Sequence, residues 1–276
     1  MRFFEQVTDF SFFIAPSRSG HSVIGQFLST HPDVMFSDEL DALMWFHEGF
    51  SASQVYALIK YQNYRHGRRH KKKSGYEYRL DSSWQHRWEK APRVIGDTKG
   101  RQSARRIAED PELLPYIRNQ IGLRLRVVVQ VRHPYRLVES EMRHRGWPID
   151  RAVDAVLADM KNVDAAQSAL SDTEKTLVYQ EDLLRNPQRT YSELFAFLGV
   201  PVHEDIVRHC ADHTWKGGAG KRGHAEKRHI RLKEIDAAAS KSPIFARYVQ
   251  DETLILSGLP STFRDMLQRW YNRRRK

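Results

Sequence analysis

The sequence is nearly without cysteine: Cys210 stands alone in 276 residues. No internal disulfide can form, so an oxidising compartment gets no support. An isolated cysteine reads either as a small buried hydrophobe or as a nucleophile. No run of about 18 apolar residues occurs, so no transmembrane helix is expected. The first residues carry Glu5 and Asp9 ahead of the apolar run and lack the pattern of a secretory signal. The expectation is a cytoplasmic protein. Two further absences bear on chemistry. No Gly-x-x-x-x-Gly-Lys-Ser/Thr segment exists, which removes the Walker A loop. The strongest apolar run ends in Arg132, not in an aspartate that could hold Mg²⁺. Together these argue against a nucleotide-dependent kinase. Acidic residues are also short: 34 Asp plus Glu face 45 Lys plus Arg, a formal charge of +11. Such a charge suits a polyanionic ligand, a nucleic acid or a membrane surface without choosing among them.

Forty per cent of the residues are apolar, enough for a substantial core. Short apolar runs at 10–15, 34–36, 93–96, 125–131 and 176–179 read as strands. Helical spacing is seen at 22–29, from about Asp38 through Phe46, and at 191–198. Strands alternating with helices predict an α/β fold, a parallel β-sheet flanked by helices with a P-loop-like nucleotide-binding core. We expect one domain over 1–276, with a basic insertion at about 48–92 and a basic C-terminal segment at about 202–276. In such sheets ligands bind at the carboxyl ends of the strands, and each motif below follows such an end.

The first motif is Ala15-Pro16-Ser17-Arg18-Ser19-Gly20-His21-Ser22. A strand, a tight turn of small residues and a helix start make an anion site, because free backbone N–H groups and the helix dipole face the same point. Gly20 allows close backbone approach. Arg18 offers a planar charged fork for phosphate or sulfate oxygens, and Ser19, His21 and Ser22 can add hydrogen bonds. The same residues also fit an ordinary βα turn with a Ser/Gly helix start. The second motif is Arg132-His133-Pro134 with Ser140 eight residues beyond Arg132. Both side chains could reach one phosphate; a strand end followed by a surface arginine is the plainer alternative.

Taken together, these segments resemble the PAPS-dependent sulfotransferase family, where PAPS is 3′-phosphoadenosine 5′-phosphosulfate. Ser17-Arg18-Ser19-Gly20-His21-Ser22 is similar to that family's first loop, and Arg132, Pro134 and Ser140 to its second element. Further likenesses follow in the same order: His31-Pro32-Asp33-Val34, Tyr179-Gln180-Glu181-Asp182-Leu183 with Asn186-Pro187, and the segment from Leu194 to Pro201. The resemblance covers roughly residues 10–201. It implies that Arg18 and its loop (Ser19, Gly20, His21, Ser22) bind the 5′-phosphosulfate. It implies that Arg132 and Ser140 bind the 3′-phosphate and that Tyr179 contacts the nucleotide. A glycine-rich stretch near 217–223, with Lys221 and Arg222, looks like the family's late phosphate loop. Two departures stand out: His21 replaces a usual hydroxyl residue, and Ser17 replaces the proline before the arginine.

Sulfuryl transfer to a hydroxyl needs a base, positive charge on the transferring oxygens and a stabilised leaving phosphate; no metal is required if cationic side chains supply the charge. Some family members use a histidine after the third strand. Asp97-Thr98-Lys99 occupies that segment here and has none. Others, including tyrosylprotein and several carbohydrate sulfotransferases, use a glutamate after the second strand, and Glu39 stands at that point. The resemblance therefore implies Glu39 as general base, with Asp38 as its rival and Lys99 on the sulfuryl or bridging oxygens. Glu39 also fits a solvated carboxylate in the first turn of a helix, and Lys99 a surface lysine.

The basic stretch 65–73, with tyrosines and tryptophans around it (Tyr56, Tyr61, Tyr64, Tyr76, Tyr78, Trp84, Trp88), fits either a solvated loop or an acceptor-binding rim. The expected partner is a hydroxyl-bearing acceptor, with an anionic glycan or acidic peptide as candidates. A non-catalytic polyanion or nucleic-acid binder is the alternative class. Against nucleic acid, no recognised binding motif accompanies the charge.

Overall fold

The structure is a computed structural model and describes residues 2–69, 88, 90–214 and 229–250. Lys221, Arg222 and the 217–223 stretch lie outside the described residues, as do residues 70–73 of the first basic stretch and Tyr76, Tyr78 and Trp84. Five strands form the sheet: β1 (Asp9–Ile14), β2 (Val34–Ser37), β3 (Val94–Asp97), β4 (Arg124–Val131) and β5 (Lys175–Tyr179). All pairings are parallel, in the order β2-β3-β1-β4-β5. The expected strands are therefore present within a residue or two.

The strands are buried because both faces are covered. All six residues of β1 are buried. Phe10, Phe12 and Ile14 point into one core with Ile95, Val127, Val129 and Val131. Phe13 points into the other with Phe36, Val94, Val128 and Val178. Period-two alternation thus feeds two apolar layers, which is why the runs read as continuously hydrophobic. Helices α1 (His21–Leu28), α2 (Ala42–His47), α3 (Ala52–Arg69), α4 (Gly100–Glu109), α5 (Leu113–Ile121), α6 (Pro134–Arg145) and α7 (Ile149–Ser168) follow the first four strands. α2 to α7 cover the first face. α8 (Gln180–Arg185), α9 (Pro187–Phe197) and α10 (Glu204–His213) follow β5 and with α1 cover the second. α11 (His229–Ala239) returns to the first face, and α12 (Arg247–Gln250) follows it.

Cys210 is buried in the second core, its thiol within 3.5 Å of Thr30 Oγ1 and of the Phe27 carbonyl. Burial pushes the thiol up to about 12, so it is a packed core residue and not a nucleophile. Two distant motifs turn out to be one contact. His31 Nε2 lies 3.0 Å from the carbonyl of Pro201, while its Nδ1 accepts the Asp33 amide.

One expected element is absent in its expected form. The helix placed from about Asp38 begins only at Ala42. Residues 38–41 form a turn in which Glu39 (φ 53°) and Asp41 (φ 66°) are left-handed. The cause is Asp97, at the end of β3. Its Oδ1 accepts the Ser37 hydroxyl (2.7 Å) and the Leu40 amide (2.9 Å), and its Oδ2 accepts the Ala42 amide (2.9 Å). A carboxylate some 60 residues away supplies the acceptors that a helical first turn would have left to local caps.

Candidate functional site

β1 and β4 are neighbours whose following connections leave in opposite directions, α1 toward β2 and α6–α7 toward β5. The crevice between their carboxyl ends is a topological switch point. The β1–α1 loop and the start of α6 line it.

Arg18 adopts a left-handed backbone (φ 67°), and Gly20 does so too (φ 99°). Gly20 has a second constraint: a Cβ there would lie 2.8 Å from Gln180 Oε1 and 3.3 Å from Gln130 Nε2. The loop is fixed from below. Gln130 Nε2 donates to the Ser19 carbonyl and to Gln180 Oε1, both at 2.8 Å. Asp159, in α7, accepts the Ser17 amide (3.0 Å) and Arg101 Nε (2.7 Å). Burial pushes the Asp159 carboxyl up, and Arg101 and the Ser17 amide oppose it.

The residues of the two sequence motifs meet across the crevice. Arg18 Nε donates to Ser140 Oγ at 3.3 Å, and Arg132 Nη1 donates to the Arg18 carbonyl at 3.1 Å. His133 caps α6, its Nδ1 accepting the Tyr135 amide. Burial, with Arg136 and Arg132 beside it, pushes His133 down to about 3. Arg132 is also pushed below the usual arginine value, first by burial and then by Arg136 and Arg143, against the pull of Glu181 and Glu139. Glu181 itself is engaged: its Oε1 accepts the His133 amide (3.0 Å) and its Oε2 the Tyr248 hydroxyl (2.6 Å).

Beside this pair of loops lies a second cluster. Ser22 Oγ donates to Glu39 Oε1 at 2.7 Å, and Lys99 Nζ lies 3.1 Å from Glu39 Oε2. Thr98 Oγ1 accepts the Glu39 amide (3.0 Å) and donates to the Ser37 carbonyl (3.1 Å). Three consecutive residues thus hold the Glu39 turn: Asp97 by its carboxylate, Thr98 by its hydroxyl and Lys99 by its charge. The reading of Glu39 as a first-turn helix carboxylate is corrected: Glu39 sits on a strained turn, tethered to the loop after β1. Lys99 is only partly exposed and paired, so it is not a free surface lysine.

His21 is the first residue of α1 and is buried. Its Nδ1 lies 3.0 Å from Ser19 Oγ. Burial pushes it down to about 4; Glu39 pulls the other way, and Lys99 and Arg18 add to the lowering. It is therefore a neutral imidazole between the two clusters at neutral pH.

Tyr179 ends β5, its ring 5.9 Å from that of Tyr248. Its hydroxyl donates to the Ile244 carbonyl (3.3 Å) and Arg247 lies over its ring (4.2 Å). Around the first basic stretch, Tyr56 is core, while Tyr61 and Tyr64 are exposed on α3. Trp88 donates to Asn63 Oδ1. Among the described residues, no cluster of three or more His, Cys, Asp or Glu could hold a metal ion. No described helix is long and apolar enough to cross a membrane.

No protein-family profile matches the sequence, and no curated protein does. Solved structures do match. A mouse sulfotransferase complexed with PAP superposes with a TM-score of 0.52 at 12% identity, over 88% of this chain and 87% of that one. The fold is the sulfotransferase α/β fold. At that identity the likeness is one of fold. Two more similar structures are a sulfotransferase domain from the Synechococcus PCC 7002 olefin synthase and one from the curacin biosynthetic pathway. The first is 16% identical with a TM-score of 0.49, over 88% of this chain and 94% of that one. The second is 20% identical with a TM-score of 0.46, over 90% of this chain and 88% of that one.

Asp97, Thr98, Gln130 and Asp159 were not singled out from the sequence. Gln130 did leave a signal, as a polar residue inside Leu-Arg-Val-Val-Val-Gln-Val. Asp97 stood in the segment read only for its missing histidine. Asp159, in mid-helix, left none.

Proposed function

We propose that the protein is a PAPS-dependent sulfotransferase of the glutamate-base type. What supports the reading above all is that Arg18, Ser140 and Arg132 converge at one switch point, with the Glu39–Lys99 pair tethered beside them through Ser22. A donor with charge at both its 5′ and 3′ ends fits such a two-ended cationic site. The loop N–H groups after β1, with Arg18, bind the 5′ end; Arg132 and Ser140 bind the 3′-phosphate.

Glu39 accepts the proton of the acceptor hydroxyl. The acceptor oxygen forms a bond to sulfur, the bond from sulfur to the 5′-phosphate oxygen breaks, and 3′-phosphoadenosine 5′-phosphate (PAP) leaves with the electron pair. Lys99 is close enough to Glu39 to share its site, and moving to the sulfuryl oxygens would free Glu39 Oε2 for the proton. His21, neutral, donates from the imidazole where relatives carry a hydroxyl. The acceptor is a hydroxyl compound: a carbohydrate, a peptide tyrosine or a small metabolite.

The test is binding first, then transfer. PAP without Mg²⁺ should raise the melting temperature, and labelled sulfate from PAPS should appear on a hydroxyl acceptor. Stabilisation by Mg-ATP and not by PAP would overturn the reading in favour of a kinase. Salt-sensitive binding to any duplex without a PAP effect would overturn it in favour of a polyanion binder.

A further inference from the structure

α6 carries more positive charge toward the crevice than Arg132 and Ser140 account for. At 100° per residue, Arg136, Ser140, Arg143 and His144 fall within an arc of about 100° on one side of the helix. That side faces the β1–α1 loop, because Ser140 is the residue that accepts Arg18 Nε. The arginines of this helix differ in how they are compensated. Arg136 lies 3.0 Å from Glu139 and Arg145 2.6 Å from Glu141. Arg143 is exposed, and among the described residues no carboxylate lies within 4 Å of it. The same holds for Arg18 and Arg132. Elsewhere buried or half-buried arginines are matched, as Arg101 is by Asp159, Arg106 by Asp41 and Arg118 by Glu174.

Arg18 donates to Ser140, Arg132 donates to the Arg18 carbonyl, and Arg143 follows Ser140 by one turn on the same side of the helix. Arg143 is among the charges that lower Arg132, and Arg18 is the largest cause lowering His144, the next residue on α6. Glu181 and Glu139 offset part of the charge on Arg132, but no carboxylate lies within 4 Å of Arg143 among the described residues, and like charges held near one another are eased by an anion that joins them.

We infer that Arg143 is a second guanidinium ligand of the 3′-phosphate beside Arg132, one turn beyond Ser140. The inference rests on the sulfotransferase reading of the site. It makes Arg143 a determinant of preference for nucleotides bearing a 3′-phosphate over those bearing only a 5′-phosphate.

The experiment is calorimetric titration of the full chain with PAP and with adenosine 5′-monophosphate at one fixed salt concentration. Arg143→Gln should weaken PAP binding about tenfold, the size expected for one charge-assisted contact, and leave the monophosphate within about twofold of the wild type. Arg143→Lys should recover part of the loss, since charge remains while the fork is gone. Arg208→Gln, an exposed change on α10, removes the same formal charge elsewhere and should leave both affinities unaltered. PAP binding by Arg143→Gln within about twofold of the wild type would overturn the inference, as would equal weakening for both nucleotides. A wild-type protein that binds PAP no better than the monophosphate would instead refute the donor reading itself, and the inference with it.

Discussion

Asp97 offers the most direct test of how the site is built. Replacing it with alanine removes the acceptor of the Leu40 and Ala42 amides and of the Ser37 hydroxyl. Ser37 and Ala42 are buried and Leu40 is half-buried. An unsatisfied buried donor costs about 1–3 kcal/mol, and the half-buried amide can recruit water. Removing a carboxyl whose burial raises its pKa returns part of that cost. The expected net destabilisation of Asp97→Ala is about 3 kcal/mol. Asp97→Asn keeps the shape but turns an NH₂ toward an N–H, and should cost about 1–3 kcal/mol. The turn it anchors also holds two non-glycine residues at positive φ, each disfavoured by about 1–2 kcal/mol, so a weakened anchor lets Glu39 relax away from Lys99. Urea denaturation reads the stability. Steady-state sulfuryl transfer beside PAP titration reads the site. Turnover of Asp97→Asn should fall at least about tenfold while PAP affinity holds, because a displacement near 1 Å of a reacting group costs up to about a hundredfold. Wild-type stability together with wild-type kcat in Asp97→Asn would refute the reasoning.

Three more outcomes are expected. Glu39→Gln should abolish transfer while leaving PAP affinity within about twofold, by titration and product assay; near-normal kcat would remove Glu39 as the base. His21, at about 4 in the folded protein against 6.5 unfolded, binds fewer protons when folded between those values. Its neutral form therefore contributes stability that is present above pH 6.5 and lost as pH falls toward 4. The stability difference between wild type and His21→Asn should shrink by about 3 kcal/mol over that window in urea titrations at several pH values; a constant difference would place His21 in solvent. Gly25→Ala would put a Cβ 2.2 Å from Thr98 Cγ2. Because Thr98 Oγ1 is held at both ends, overpacking should cost about 1–3 kcal/mol and lower kcat; a melting temperature at or above wild type would show that Thr98 yields freely.

The strands could be read from the sequence because burial on both faces writes itself as unbroken apolar runs, and the loop residues because each motif follows a strand end. Arg132 and Ser140 were read as one end of the site and Arg18 as the other; Arg18 proves to touch both, at Ser140 Oγ and through its carbonyl at Arg132. What failed did so for one reason. The turn at 38–41 has helix-forming residues after it and a charged start, so local periodicity extends the helix to Asp38. The acceptors that hold it open belong to Asp97, and no local pattern carries a partner some 60 residues distant. His21 is the same case: its role in Ser19-Gly20-His21 is set by Ser19 Oγ, by burial, and by Lys99 and Glu39 from two other strand ends.

The net charge of +11 is sharpened by the same geometry. Read from composition, it pointed to some polyanion with no location. In the folded chain much of the arginine is spent on structure: Arg124 and Arg126 close on buried Asp9 at the start of the sheet, Arg106 fixes the Asp41 turn, and Arg247 is paired with Asp182. Those cations are matched by carboxylates that would be costly to bury alone. A protein whose function was diffuse polyanion binding would be expected to leave its unmatched cations spread over an exposed face. Here Arg18 and Arg132, with no carboxylate within 4 Å among the described residues, meet across the β1–β4 crevice where Arg18 donates to Ser140; Arg143 lies one turn beyond Ser140 on the same side of α6, and the neighbouring lysine, Lys99, is paired with the carboxylate proposed to take the proton. Guanidiniums without a carboxylate within 4 Å at the mouth of that crevice fit a small, doubly charged donor better than a general polyanion.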